Sequence, residues 1–158
     1  MYKIGEVVVH PVHGAGVIEA IESVKIAGKE CRYYVFSTGE GGLSVKIPVD
    51  NSEEIGVRRL ISREQADELL LRMQALETEC SQSWNRRYRE NMARLKTGEL
   101  LDVACVVKSL MARDTGKGLS TGEKKMLRTA KRILVSEIAL AKNEDYDEIE
   151  RRVNEALA

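Results

Sequence analysis

The chain changes from one kind of structure to another at Ser62-Arg63-Glu64-Gln65-Ala66-Asp67-Glu68-Leu69-Leu70. Ser62 and Gln65 have the spacing of a capping box, which places the serine oxygen to accept a hydrogen bond from the third helical amide. Apolar residues then recur at helical intervals as far as Leu76. Both prolines of the chain precede this point. The stretch therefore predicts the start of an all-α unit.

The residues before this point have the pattern of short β-strands. Alternating or β-branched segments occupy residues 6–10, 17–24, 32–36 and 43–47, and Gly- or Pro-containing turns separate them at residues 11–16, 27–29 and 39–42. Several short strands with a turn between each pair are typical of a small antiparallel barrel. The predicted fold class is thus α+β: a small β-barrel over residues 1–57 and a compact all-α domain of about five helices over residues 58–158.

The residues after residue 76 predict four further helices. A polar linker at residues 77–81 precedes a helix that begins near the tryptophan and ends near Gly98, and the next helix covers residues 99–113. Residues 114–118 break that helix. Ser120 and Glu123 form a second capping-box pattern, which opens the longest helix. A last short helix runs from about residue 145 to residue 157.

Trp84 is the only tryptophan of the chain, and Arg86, Arg87 and Arg89 follow it closely. Its indole could start the buried stripe of an amphipathic helix, because Tyr88 and later apolar residues recur at helical spacing. Alternatively, the indole could stack on or wedge between bases while the arginines meet phosphates. Helical spacing alone leaves both interpretations open.

The formal net charge of the chain is zero, but the charges are unevenly distributed. Residues 84–132 contain thirteen basic and five acidic residues and so carry a net charge of +8, which leaves −8 for the rest. Such a division indicates a segment that binds a polyanion within an otherwise acidic protein. The charge pattern favours the nucleic-acid interpretation of Trp84.

Composition excludes several classes of protein. No run of about 18 apolar residues is present, and the first residues lack the pattern of a signal peptide, so we expect a cytoplasmic protein without a membrane segment. Three distant cysteines, Cys31, Cys80 and Cys105, suggest reduced thiols and no disulfide framework.

No pattern of catalytic or metal-binding residues stands out. The two histidines, His10 and His13, flank Pro11 in a turn and lack the helical spacing of a zinc site. The glycines at residues 39–42 are not followed by a lysine and a helix, as a phosphate-binding loop would require. The segment Gly14-Ala15-Gly16 leads into a predicted strand and not into a helix, which excludes a dinucleotide-binding motif. We therefore predict a protein that is not an enzyme and that has no metal or other cofactor.

Five segments carry a resemblance to a known family: residues 3–14, 45–48 and 133–141, Trp84-Asn85-Arg86-Arg87-Tyr88, and Gly118-Leu119-Ser120-Thr121-Gly122-Glu123-Lys124-Lys125-Met126-Leu127. They resemble the CarD family of bacterial RNA polymerase-binding transcription factors, specifically its short stand-alone CdnL-type members. The similarity covers nearly the whole chain in the same order.

For the first half, the resemblance implies a Tudor-like barrel that docks on the polymerase β subunit. Lys46 matches one basic contact position of the family, and its neighbours Val45, Ile47 and Pro48 belong to the same strand. At the family's other basic position, in the second strand, this chain has Val24, so the adjacent Lys25 is the candidate there.

For the second half, the resemblance implies contact with promoter DNA. Trp84 matches the tryptophan that is thought to wedge into the minor groove at the upstream edge of the transcription bubble. Arg86, Arg87 and Arg89 would hold neighbouring phosphates, and Lys124 and Lys125 match a second basic position.

The expected function is therefore a non-enzymatic transcription regulator that stabilises the open promoter complex. A general RNA-binding or ribosome-associated module built on a barrel is the alternative. No feature of the sequence calls for a dimer, and we expect a monomer.

Overall fold

The computed structural model describes residues 1–38, 43–77 and 83–158. These residues form two compact units, residues 1–60 and 61–158. The first unit contains the strands and the second unit is helical, so the predicted α+β fold class is confirmed. The predicted turn at residues 39–42, most of the predicted linker at residues 77–81, and Cys80 lie outside the described residues.

Within the described residues, the first unit consists of a five-stranded antiparallel sheet and one short helix. Its elements are β1 (Val7–His10), β2 (Gly14–Ile26), β3 (Lys29–Ser37), β4 (Ser44–Pro48), a short helix α1 (Ser52–Ile55) and β5 (Arg58–Arg59). The strand order is β4-β3-β2-β1-β5, which is consistent with a Tudor-like barrel. The unit extends three residues beyond the predicted boundary because Arg58 and Arg59 pair with Val9 and Val8 of β1.

One face of this sheet forms a small core. The core side chains are Val8, Ile18, Tyr34, Phe36, Ile47 and Val57. Gly16 lies where the backbone of β3 and the Phe36 ring come close: a Cβ atom there would be 2.5 Å from the Ser37 carbonyl oxygen and 2.6 Å from the ring. Only glycine fits at this position without a shift of its neighbours.

His10 has a structural role in the turn between β1 and β2. Its Nδ1 accepts hydrogen bonds from the amides of Val12 at 3.0 Å and His13 at 3.3 Å. The side chain is buried, and this burial lowers the pKa of His10. The neutral imidazole therefore holds the turn in shape by accepting both amide protons.

The described residues of the second unit form five helices, in agreement with the prediction of about five. They are α2 (Arg63–Gln74), α3 (Trp84–Lys96), α4 (Leu100–Gly116), α5 (Thr121–Lys142) and α6 (Tyr146–Leu157). Both predicted capping boxes are confirmed, at Ser62 with Gln65 and at Ser120 with Glu123. Apolar residues of α4 and α5 dominate the core. Among the helices of the described ranges, none has the length and apolar content needed to cross a membrane.

Charged side chains join the start of α2 to the end of α5. The buried ammonium of Lys142 pairs with Asp67 and lies 3.5 Å from Glu144. The guanidinium of Arg63 donates to the Lys142 carbonyl oxygen at 2.6 Å. These bonds satisfy a carbonyl at a helix end, where the backbone has no partner within the helix.

Candidate nucleic-acid interface

Trp84 lies where the N-terminal ends of α3 and α5 meet. Its Nε1 donates a hydrogen bond to the Oγ of Ser120, the N-cap residue of α5, at 3.1 Å. Its ring stacks on Tyr88, with centroids 5.2 Å apart and planes 19° apart. Even so, 46% of the residue is exposed. The tryptophan is thus fixed at its polar edge and on one ring face while the remainder of the indole faces solvent.

A buried ion pair joins α3 to α5 close to the tryptophan. The Nε of Arg87 is 2.9 Å from one Glu123 oxygen, and the Nη2 is 3.2 Å from the other. Both side chains are at most 3% exposed. The hydrogen bond from Arg87 holds the pKa of Glu123 below its ordinary value. This two-point contact therefore joins two fully charged groups between α3 and α5.

Ser120 connects the ion pair to the tryptophan. Its Oγ accepts from the Glu123 amide at 3.2 Å and donates to Oε1 of the same residue at 3.2 Å. The indole of Trp84 donates to this oxygen as well. The chain of contacts runs from Trp84 through Ser120 and Glu123 to Arg87, and so begins and ends on α3. We call these four residues the Trp84 network.

The structure gives Arg87 a role different from the predicted one. The sequence suggested a phosphate contact, but the guanidinium is buried and engaged by Glu123. Arg87 holds α3 against α5 instead. The signal that could have revealed this is the capping-box glutamate, whose carboxylate needs a cation once it is buried.

Arg86 and Arg89 lie on the far side of α3 from the tryptophan. At about 100° per residue, they are rotated by about 200° and 140° from Trp84 around the helix axis. Both are exposed. Arg86 pairs with Glu90 at 3.1 Å, so its charge is partly neutralised. Closeness in sequence therefore does not place these arginines beside the indole.

Lys124 and Lys125 lie close to the tryptophan through α5. They are the fourth and fifth residues of that helix and come directly after the capping box that contains Ser120. Both side chains are exposed. The structure thus brings together an exposed indole and two lysines that are far apart in sequence.

The predicted docking residues of the first unit divide between the two faces of the sheet. Lys46 is paired with Val35 and lies on the outer face, where its ammonium is 3.0 Å from Glu22. Pro48 lies on the same face. Lys25 pairs with Glu30 on the opposite face, because side chains alternate along a strand.

Val45 and Ile47 point inward. Ile47 is 1% exposed in the core, and Val45 is half-buried against it. Their contribution to a partner would come from the backbone, since β4 is the outermost strand at one end of the sheet order.

Comparisons with known proteins agree for both units. Residues 68–154 match the model described as "CarD, C-terminal domain", and residues 2–61 match "CarD-like/TRCF RID domain". The protein of Bacillus subtilis (strain 168) named "Putative transcription factor YdeB" is 34% identical over 142 residues. The aligned region covers 90% of this chain and 93% of that protein.

We predict that Glu123→Gln lowers the free energy of unfolding by about 3–5 kcal/mol, because it removes the negative charge that pairs with the buried Arg87 guanidinium. Glu90→Gln is the matched control: it removes the exposed partner of Arg86 and should cost less than about 1 kcal/mol. Urea unfolding followed by the fluorescence of Trp84, the only tryptophan, measures both.

The difference between the wild type and Glu123→Gln should depend on pH. Because the folded-state pKa of Glu123 is lowered, its stabilising contribution is complete above about pH 4.3, the ordinary glutamate value. The contribution is lost as the pH falls through the lowered folded-state value. A difference that stayed constant down to acid pH would contradict a charged Glu123 in the folded protein.

Proposed function

This chain belongs to the CarD family of transcription factors, and on that premise we propose that it binds RNA polymerase and stabilises the open promoter complex. In this proposal the unit of residues 1–60 docks on the polymerase β subunit. The unit of residues 61–158 inserts Trp84 into the minor groove at the upstream edge of the bubble. The family membership supports the resemblance predicted from the sequence.

The observation that carries the proposal is the exposed but immobilised indole. Trp84 keeps nearly half of its surface free while Ser120 and Tyr88 hold it. A side chain that is ordered before binding loses little conformational entropy when it inserts. Stacking of a base on an aromatic side chain contributes about 1–3 kcal/mol.

The edge of a bubble is the favourable place for such insertion. Wedging a side chain into intact duplex costs a few kcal/mol per base step. At a melting junction the last base pair is already partly unstacked, so part of that cost is absent. An indole in the gap then opposes reclosure and lengthens the lifetime of the open complex.

Electrostatic contact would come first from α5. Lys124 and Lys125 are exposed near the start of α5, so they can meet phosphates close to the inserted ring. Such contacts position the protein without reading sequence. Arg89 is exposed as well, but on the far side of α3, where it would reach a different part of the backbone.

Docking through the first unit would compensate for weak DNA binding. The edge strand β4 can extend a partner's sheet through backbone hydrogen bonds, and its residue Lys46 supplies an exposed charge. A tether raises the local concentration of the helical unit at the promoter. The match of residues 2–61 to a domain shared by CarD-like proteins and TRCF supports a role in the transcription machinery.

Trp84→Ala should shorten the open-complex lifetime by about fivefold to a hundredfold, which corresponds to the loss of one stacking contact. Competitor-challenge assays on a promoter with an unstable open complex measure this lifetime. Trp84→Phe is the matched control, since it retains a stacking ring but loses the bond to Ser120, and should give an intermediate lifetime. An unchanged lifetime for Trp84→Ala at saturating protein would exclude the wedge.

Lys46→Glu should weaken binding to the isolated β subunit by about tenfold, because it reverses an exposed charge on the edge strand β4 and places the new carboxylate next to Glu22. Surface plasmon resonance measures the affinity. Lys3→Glu, at an exposed lysine outside the sheet, is the control for net charge. Equal affinities for the wild type and Lys46→Glu would remove the outer face of the sheet as the docking surface.

A further inference from the structure

A row of cations follows α5 away from the tryptophan. At about 100° and 1.5 Å per residue, the row covers an arc of about 120° and a length of about 12 Å along the helix. Its members are exposed except for the half-buried Lys131. The row consists of Lys124, Lys125, Arg128, Lys131 and Arg132.

None of these five cations forms an ion pair with another part of the chain that the structure describes. Several other cations of the helical unit do form ion pairs. Arg151 and Arg152 are paired with glutamates of α6 and with Glu144, and Lys142 is paired with Asp67. Single exposed cations without an ion pair occur on other described helices as well, so the distinctive feature of the first half of α5 is that five unpaired cations share one side of the same helix.

The arrangement is unfavourable for the isolated protein. Lys124 and Lys125 lie near the N-terminus of α5, where a cation opposes the helix dipole at a small cost in stability. Like charges three or four residues apart on a helix add a similar cost. Nothing on the described surface offsets these terms, so the row is better explained by an external anion than by folding.

Burial determines where the row ends. On the same side of α5, the next positions toward the C-terminus are Val135, Ala139 and Lys142, and all three are buried. The helix side that carries the cations is thus open to solvent over its first three turns and covered afterwards. The cations occupy the open part.

The row begins next to Trp84. Ser120, which receives the indole hydrogen bond, precedes Lys124 by four residues. From Ser120 to Arg132 the helix is about 18 Å long. In B-DNA one strand carries a phosphate for every 3.4 Å of axis. Five cations over about 12 Å, or one for about every 3 Å, therefore give the row a linear charge density similar to that of one DNA strand along the duplex axis.

We propose that this row of α5 is a phosphate track, which contacts the DNA backbone on the duplex side of the Trp84 insertion point. The choice of DNA as the polyanion rests on the proposed function. Within the track, Arg128, Lys131 and Arg132 are binding residues in addition to the two lysines at its start. The contacts are electrostatic and independent of base sequence.

The test compares two charge-neutralising double variants. Arg128→Gln with Arg132→Gln removes the distal part of the track. Arg72→Gln with Lys96→Gln removes the same charge from exposed positions on α2 and α3. Binding to a fluorescently labelled forked duplex is followed by anisotropy over a range of salt concentrations. Circular dichroism and thermal unfolding verify that both variants fold.

The slope of log K against log salt should become shallower by about 1.8 for the track variant, since each lost phosphate contact contributes about 0.9. The slope for the Arg72→Gln, Lys96→Gln control should match the wild type. Trp84→Ala should weaken binding to the fork while leaving the slope within about 0.5 of the wild-type value.

An unchanged slope for the track variant on duplex DNA would overturn the proposal, as would an equal change in the control variant. A slope change seen only with single-stranded RNA would also overturn it. The two proposals are tested by different measurements. If Trp84→Ala leaves the open-complex lifetime unchanged, the wedge is excluded, but the salt dependence of binding to duplex DNA can still support the track. An unchanged slope excludes the track and leaves the wedge standing.

Discussion

The buried ion pair between Arg87 and Glu123 is the contact on which the presentation of Trp84 depends. Glu123 serves two purposes at once: its carboxylate completes the capping box of α5 and neutralises a guanidinium from α3. Removing two charges from water is costly, so such a pair contributes less to stability than its geometry suggests. Its two-point contact does fix the orientation of one helix start against the other. The serine between the pair and the indole then sets the position of the ring.

Charge is used in two opposite ways within the helical unit. Arg87 is buried and satisfied, and it has become part of the structure. The five cations in the first half of α5 form no ion pair with the described residues and, except for the half-buried Lys131, are exposed, so they keep their attraction for an anion. Basic residues of the helical unit therefore serve both as a buried support for the aromatic side chain and as an exposed electrostatic surface. In the proposed function, insertion of the indole and contact with phosphates require no catalytic chemistry. They shift the equilibrium between closed and open promoter complexes that the polymerase has already established.

Local patterns predicted the elements well because the relevant physics is local. The capping boxes at Ser62 and Ser120 marked two helix starts correctly, and β-branched alternation located four of the strands. The short elements α1 and β5 escaped prediction because two to four residues carry no period. The burial of Arg87 and the exposure of its neighbouring arginines could not be predicted from the sequence either. Arg86, Arg87 and Arg89 are neighbours in sequence, but rotation about α3 sends one inward and two to the far side. Glu123, which pairs with the buried Arg87, lies 36 residues away in the sequence.

The most direct test of the account is a double-mutant cycle on open-complex lifetime with Ser120→Ala and Trp84→Ala. If Ser120 acts by holding the indole, Ser120→Ala should shorten the lifetime in the wild-type background and have little further effect once Trp84 is absent. The coupling between the two changes should then be nearly as large as the effect of Ser120→Ala alone. Additive effects of the two substitutions would contradict the account, because they would show that the serine acts independently of the tryptophan.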